Sequence, residues 1–548
     1  MSDAKVRGPQ AGEAVSAGPA EPGAGVVTSV RPARRWPAGW LAAVIPALAE
    51  LIVGGYRIGV PSLWRDEAAT ISGSQRSLSA IMTMARHQDA VHAPYYVLMH
   101  AVIAVGGTSP TALRIPSLIA MSLAVGVTGA LGRRLARVSG LPGATAVGLL
   151  AGLALTALPL TTRYAQEARP YALATLCSVV ATYVFVVALA SPRWRWWVLY
   201  AVSLLLTGLF SLFAVLLAVA HGGSLIWLSR VRHEAGQDRS QAEVTGVIAR
   251  RWLASCVAVA ALLGPLAAFS AGQSSQLSWV RQPTPGTLAS LARDFAGTTA
   301  LIPVVVVAAL LGCATGLGAG GGRRSLLAAI ALPWLAVPPV LLLAVSFIHP
   351  YYVERYVLFC LPALAVLVAA GLVWLVTLTG RALAGRGLRP RLADVLAAVP
   401  SGILALLIVA LLIGPQGEIR TAGNRPDNLA AAAAVLAGHE RPGDVVLYLP
   451  RGTSVLAMAY PRPFRHVRDI GLGTSPVASG TLRGLAAPAG TIASRLAHVR
   501  RVWSVEWVHP LDGANTPPSR LTGLLARWRL IGRWHVQSLV LRLYAASR

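Results

Sequence analysis

YVLFCLPALAVLVAAGLVWLVTLT, residues 356–379, runs for two dozen positions without a charge. As a helix rising 1.5 Å per residue it is about 36 Å long, more than the ~30 Å hydrocarbon core of a bilayer. Working outward, comparable runs occur at 40–55, 112–132, 143–160, 171–190, 196–209, 211–228, 252–269, 301–318, 325–346 and 395–413. The spacing predicts about eleven transmembrane helices, the short 196–209 run pairing with 211–228 around residues 207–213. Composition agrees: of 548 residues 55% are hydrophobic and only 13% charged, where soluble chains carry about 25%. Mean hydropathy is +0.61. The four cysteines, Cys177, Cys256, Cys313 and Cys360, all lie inside apolar runs and match no metal or disulfide spacing.

The net charge of +27 does not indicate nucleic acid. Only Lys5 among the 48 basic residues is lysine, and the arginines are scattered over short loops rather than gathered in one stripe. Residues 1–38, rich in Ala, Gly, Pro and Glu, read as a disordered cytoplasmic tail ending in Arg31, Arg34 and Arg35. The first run then reads as a retained signal anchor, despite the Ala47-Leu48-Ala49 triplet. Twenty-one Lys and Arg fall on the tail and the loops assigned inside, against ten on the outer loops before residue 415. This excess puts the N-terminus inside and, with an odd number of spans, the segment after 414 outside. The domains read as a tail (1–38), a membrane domain (39–414) and an extracytoplasmic domain (415–548). Residues 92–107 are apolar but too short to span and are expected as an interfacial or re-entrant helix, making 59–111 the longest outer loop. In 415–548, helical patterns at 428–438, 491–500 and 521–529 alternate with strand patterns at 443–449, 502–508 and 536–544, the signature of a small α/β domain.

Acidic residues nearly vanish from the spans, as the cost of burying charge in lipid requires. The remaining polar residues gather in four knots on one proposed face: Trp64-Arg65-Asp66-Glu67; His87-Gln88-Asp89-Ala90-Val91-His92-Ala93-Pro94-Tyr95-Tyr96; Arg163-Tyr164-Ala165-Gln166-Glu167-Ala168-Arg169-Pro170-Tyr171; and His349-Pro350-Tyr351-Tyr352-Val353-Glu354-Arg355-Tyr356. Adjacent carboxylates at Asp66 and Glu67 suit a general base acting on a hydroxyl, or Asp66 caps a helix beginning at Glu67. His92, Tyr95 and Tyr96 suit a phosphate and sugar pocket, or an aromatic belt. Arg169 and Arg355, with Tyr356 beside the latter, suit a lipid phosphate. The plainer readings are an Arg163–Glu167 helix pair and an Arg355 side chain reaching the headgroups.

The order of Trp64-Arg65-Asp66-Glu67, His92-x-Pro94-Tyr95-Tyr96, Tyr164-Ala165-Gln166-Glu167-Ala168-Arg169-x-Tyr171 and Glu354-Arg355-Tyr356 with Pro362 resembles the C-type membrane glycosyltransferases of the protein O-mannosyltransferase kind, glycosyltransferase family 39. The resemblance covers about 40–400, and the arginine and alanine bias fits actinobacterial relatives labelled mannosyltransferases. It implies transfer of a sugar, mannose by that label, from a polyprenyl-phosphate donor to a hydroxyl of protein, glycan or lipid outside the plasma membrane. Asp66 would be the base, Glu67 its support and Glu167 the second acidic site, with His92 and Arg355 facing the donor phosphate. Relatives usually have His-Pro-Pro or Lys-Pro-Pro where this chain has His92-Ala93-Pro94. No cofactor is implied and no metal ligand is assigned, a divalent ion being compatible with the chemistry. The rivals are a secondary transporter, whose polar site and repeats would lie nearer the midplane, and another lipid-linked transferase.

Overall fold

Within the described residues the apolar runs fold as helices. The structure, a computed structural model, describes residues 38–234, 239–315, 326–508 and 519–546; the tail expected to be disordered lies, up to residue 37, outside them. In chain order the helices before the C-terminal domain are α1 (Leu41–Gly55), α2 (Arg65–Ser74), α3 (Leu78–His87), α4 (Ala93–Gly106), α5 (Pro110–Val138), α6 (Ala144–Ala157), α7 (Pro159–Ala165), α8 (Tyr171–Ala190), α9 (Trp194–Phe210), α10 (Leu216–Glu234), α11 (Arg239–Ala271), α12 (Pro285–Ala296), α13 (Ile302–Ala314), α14 (Leu326–Ser346), α15 (Leu361–Gly385) and α16 (Pro390–Glu418). Among the described residues seven spans are long and apolar enough to cross a membrane. The bent pairs α6–α7 and α12–α13 raise the number to nine. Two expected spans, α1 and α9, are shorter apolar helices of 15 and 17 residues. The chain is a multi-pass membrane protein.

Small residues let the bundle close. A Cβ on Gly129 of α5 would lie 1.9 Å from the Ala42 carbonyl oxygen of α1, and one on Gly148 of α6 would lie 2.4 Å from the Gly129 carbonyl. α13 and α15 cross as closely: a Cβ on Gly371 would lie 2.0 Å from the Ala308 carbonyl oxygen, and one on Gly312 would lie 2.1 Å from that of Leu367. Lipid offers no hydrophobic drive to bring helices together, so such backbone approach supplies the dispersion contact that holds them.

The segment 59–111 is not a loop: it folds into α2, α3 and α4. α4 matches the helix expected at 92–107, with Tyr95, Tyr96 and Met99 buried and Val105 exposed. The C-terminal domain opens with α17 (Leu429–His439), capped by the Asn428 side chain accepting from the Ala431 N–H at 3.1 Å. Then follow β1 (Val445–Leu449), α18 (Val455–Ala459), β2 (Arg468–Asp469), β3 (Leu472–Thr474), β4 (Leu485–Ala486), α19 (Ala489–Leu496), β5 (Arg501–Trp507), α20 (Ser519–Leu525), β6 (Arg529–Val536) and β7 (Leu539–Ala545). The main sheet has order β2-β1-β5-β7-β6, parallel at β2-β1-β5 and antiparallel at β5-β7-β6. The helix expected over 521–529 therefore stops at Leu525, and a strand the reading lacked begins at Arg529. Its alternating burial is the two-residue period of a sheet edge. It turns at Gln537 (φ 52°) into β7.

Gly39–Arg548 form one compact unit. One apolar core runs through both parts: Leu63, Ile71, Ile81, Met84 and Tyr95 pack with Leu429, Val446, Val455 and Trp503. That shared core places the C-terminal domain over the ends of the spans, where the four knots lie.

Candidate active site

α2 begins at Arg65, with Trp64 as an N-cap that offers no side-chain bond. Asp66 is therefore not the cap. The cap comes from the C-terminal domain: Asp427 Oδ2 accepts the Arg65 N–H at 3.0 Å and the Arg65 Nε at 2.8 Å, while Oδ1 takes Nη2 at 2.6 Å. Ser538 Oγ also donates to Asp427 at 2.6 Å, and Trp507 stacks under the Arg65 guanidinium at 4.2 Å. Burial alone would raise the Asp427 carboxyl, but the Arg65 and Ser538 hydrogen bonds and the Arg65 charge hold it below the ordinary range.

The neighbouring carboxylates then part company. Glu67 is fully buried and held by Arg114, Nε to Oε1 and Nη2 to Oε2, both at 2.8 Å. It also accepts the Ala168 N–H at 3.0 Å, while Arg114 donates to the carbonyls of Ile58, Pro61 and Ser62. Burial opposes its charge, yet Arg114 keeps its carboxyl below the usual carboxylate value. Glu67 is thus a tie between α2, α5 and the Glu167-Ala168 turn, with no face on a cavity. Asp66, one residue earlier in the same helix, points the other way, its side chain 22% exposed.

Asp66 looks into a cavity of about 740 Å³, inside the ~300–1,000 Å³ range of small-molecule sites. Of the sequence-expected residues, Asp66, His92, Arg169, Arg355 and Tyr356 line it. Arg355 Nη2 lies 3.8 Å from Asp66 Oδ2, and its guanidinium is surrounded by Trp279, Tyr356 and Tyr171 at 5.5, 5.6 and 5.9 Å. That aromatic box holds the cation where the span Glu354–Gly385 begins. Arg169 donates to the Asp66 carbonyl at 3.4 Å and to His92 Nε2 at 2.7 Å.

A guanidinium only donates, so His92 Nε2 is an acceptor and the ring proton sits on Nδ1, aimed at Asp89 Oδ1 2.6 Å away. This corrects the expectation that His92 donates to a phosphate: both its nitrogens are engaged. Tyr96, unlike His92, does not line the cavity, and its hydroxyl donates to Asp89 Oδ2. Burial pushes against the Asp89 charge, but His92, Arg169 and Tyr96 together hold that carboxyl well below the usual range. Tyr96–Asp89–His92–Arg169 is a chain of oriented groups that presents Arg169 to the cavity. Tyr95 is fully buried among apolar neighbours. Glu167 is buried too, pairing with Arg163 at 3.2 Å, so the i,i+4 reading holds and Glu167 is not a second carboxylate facing Asp66.

Sequence reasoning did not assign Asp89, Arg114, Asp427 or Arg483. Asp89 was legible as the one acid in the second knot, and its left-handed backbone (φ 60°) has no sequence signature of its own. Arg114 and Asp427 acquire meaning only from partners 47 and 362 residues away. Among the described residues no three His, Cys, Asp or Glu side chains come together as a metal cluster.

The helical bundle, its sheet-bearing cap and the cavity between them define a membrane protein with the fold of the C-type glycosyltransferases. Over residues 92–238 the chain matches the family described as dolichyl-phosphate-mannose-protein mannosyltransferase, and it thus resembles the protein O-mannosyltransferases. Among solved structures it is similar to ArnT from Cupriavidus metallidurans bound to undecaprenyl phosphate, with 14% identity over 92% of this chain and 98% of that one and a TM-score of 0.56. The apo state of that ArnT gives 13% identity, coverage of 92% and 98%, and a TM-score of 0.57. The apo oligosaccharyltransferase of Archaeoglobus fulgidus is 14% identical over 94% of this chain and 75% of that one, with a TM-score of 0.53. No curated protein matches by sequence.

Proposed function

We propose that the chain transfers a sugar, mannose by its resemblance, from a polyprenyl-phosphate donor to a hydroxyl acceptor on the outer face of the plasma membrane, with Asp66 as general base. The observation that carries this reading is the partly exposed carboxylate of Asp66, facing Arg355 across 3.8 Å on the wall of a large cavity at the end of a span. It is supported by the fold and by the undecaprenyl phosphate held by one structural relative. The donor brings its own good leaving group, so the protein has three tasks. It must hold the phosphate, keep bulk water out and remove one proton.

Arg355 and Arg169 hold the phosphate: each presents N–H groups to the cavity, and a guanidinium fork pairs two phosphate oxygens. Asp66 takes the acceptor proton as the hydroxyl oxygen attacks the anomeric carbon and the carbon–phosphate oxygen bond breaks. Glu67 takes no part in that transfer and instead fixes the helix that aims Asp66. The inner excess of basic residues supports placing this cavity outside. A transporter would carry its polar site near the midplane; here the polar residues line the cavity at the span ends. The test is transfer of labelled mannose from polyprenyl-phosphate mannose in membranes bearing wild type or Asp66→Asn. The Asn variant is expected to lose at least about a hundredfold, the contribution of a positioned base. Undiminished transfer by it would remove Asp66 from that role.

A further inference from the structure

A further guanidinium lines the same cavity. Arg483 belongs to the C-terminal domain and lines the cavity with Leu482 and Trp507. Its Nε is buried without a hydrogen-bond partner, and no carboxylate pairs with it among the described residues. Arg65 lies close enough to repel it, and Asp66 and Asp89 close enough to attract it.

The segment that carries it is fixed to the catalytic helix. The Thr481 carbonyl accepts from Arg76 Nη2 at 2.6 Å and the Leu482 carbonyl from Ser72 Oγ at 2.6 Å. The Leu482 N–H donates to Gln88 Oε1 at 2.9 Å, and the Arg483 carbonyl accepts from Arg451 Nε at 3.0 Å. Gly484, at φ +74°, closes the turn by donating its N–H to Thr481 Oγ1 at 3.1 Å. Ser72 and Arg76 stand at the end of the helix that carries Asp66, and Gln88 is the neighbour of Asp89. The backbone around Arg483 is therefore held in register with Asp66 while its own guanidinium is left uncommitted. A buried Nε–H without an acceptor costs free energy until one is supplied, and rigid support of a free charged head is how a binding group is preorganised.

Location selects the anion. Arg355 starts a span and is the donor-phosphate cation of the proposed transfer; Arg483 comes from the domain that covers the span ends. The acceptor hydroxyl must reach Asp66, and the segment that bears Arg483 is tied by the Ser72 and Arg76 side chains to the helix that carries Asp66. We infer that Arg483 is an acceptor-side anion subsite, so that the acceptor carries a phosphate or carboxylate close to the hydroxyl that is glycosylated. The inference rests on the proposed glycosyl transfer for its word "acceptor" and on the cavity wall alone for its anion.

The experiment titrates inorganic phosphate into the full-length protein in detergent and follows tryptophan fluorescence, Trp507 being a cavity residue. It is run with and without saturating undecaprenyl phosphate, on wild type, R483Q, R483K and R355Q. With the lipid present, wild type is expected to retain one saturable phosphate site. R483Q is expected to weaken it at least tenfold, R483K to restore part of it, and R355Q to leave it intact. Loss of that site in R355Q, equal affinity in R483Q, or no saturable site in wild type each overturns the inference. Thermal melting of R483Q is expected to equal or exceed that of wild type, because the side chain gives up no bond and its unpaired buried Nε–H is removed. Failure of undecaprenyl phosphate to bind wild type would refute the transfer reading, while the lipid-free titration still decides Arg483. In the transfer assay R483Q is expected to raise the acceptor KM and leave the donor KM unchanged; a rise in donor KM instead would place the anion on the donor and refute the acceptor assignment.

Discussion

Glu67→Gln and Asp66→Asn remove one negative charge each from adjacent residues, yet opposite outcomes are expected. A glutamine in place of Glu67 would keep the shape of the buried side chain but leave the Arg114 guanidinium, fully buried and bonded to Glu67 through two 2.8 Å contacts, without its counter-charge. Removing one partner of such a pair costs about 3–5 kcal/mol. That is a large part of the ~5–15 kcal/mol by which folded proteins are stable. Three carbonyl acceptors, of Ile58, Pro61 and Ser62, still hold Arg114, which places the loss near the lower end. At about 2.1 cal/mol/K per residue of unfolding entropy, a unit of this size melts roughly 3–5 °C lower if it unfolds as one. The Asp66 side chain is partly exposed and bears only a 3.8 Å ion pair, so Asp66→Asn is expected to melt with the wild type. The assay is melting of both detergent-purified variants, followed by transfer activity well below either Tm. Asp66→Asn is expected to lose activity at least about a hundredfold with an unchanged Tm, and Glu67→Gln to lose Tm and keep substantial activity in the surviving folded fraction. An unchanged Tm for Glu67→Gln together with abolished transfer would refute the division of labour and return Glu67 to the chemistry.

Asp427→Ala strips the cap from α2 and frees Arg65, so it is expected to cost about 1–3 kcal/mol and to reduce transfer although Asp427 lies outside the cavity; proteolysis of the C-terminal domain would report its loosening. Asp89 has its carboxyl held below the usual range in the folded protein, so its contribution is complete above the unfolded carboxylate value, about 4, and is lost as pH falls below that. Stability is accordingly expected to decline progressively below about pH 4, and that part of the decline is expected to be missing in Asp89→Asn, measured as Tm against pH. Gly371→Leu would drive a side chain into the Ala308 carbonyl, 2.0 Å from where its first carbon must sit, and is expected to abolish the folded, monodisperse protein on gel filtration.

The long apolar runs alone set the class of this protein. Within the described residues the expected spans became helical, one of them broken by a bend, because lipid leaves the backbone no hydrogen-bond partner but itself, so length and apolarity determine the outcome locally. The four polar knots were legible for the converse reason: charge is too costly in the spans to sit anywhere but at their ends. Asp66, Arg169, Arg355 and Tyr356, picked out of those knots, do meet at one cavity.

What the sequence could not decide was the direction each side chain faces. Asp66 and Glu67 are chemically alike and adjacent, and only the ~100° turn per residue of the helix sends one into the cavity and the other onto Arg114. His92 looked like a hydrogen-bond donor to phosphate until Arg169 took one nitrogen and Asp89 the other. The C-terminal domain, whose pattern announced no chemistry, supplies the cap of α2 through Asp427 and a wall of the cavity through Arg483 and Trp507. Those roles depend on contacts across hundreds of residues, which local periodicity does not encode and only the packed tertiary structure creates.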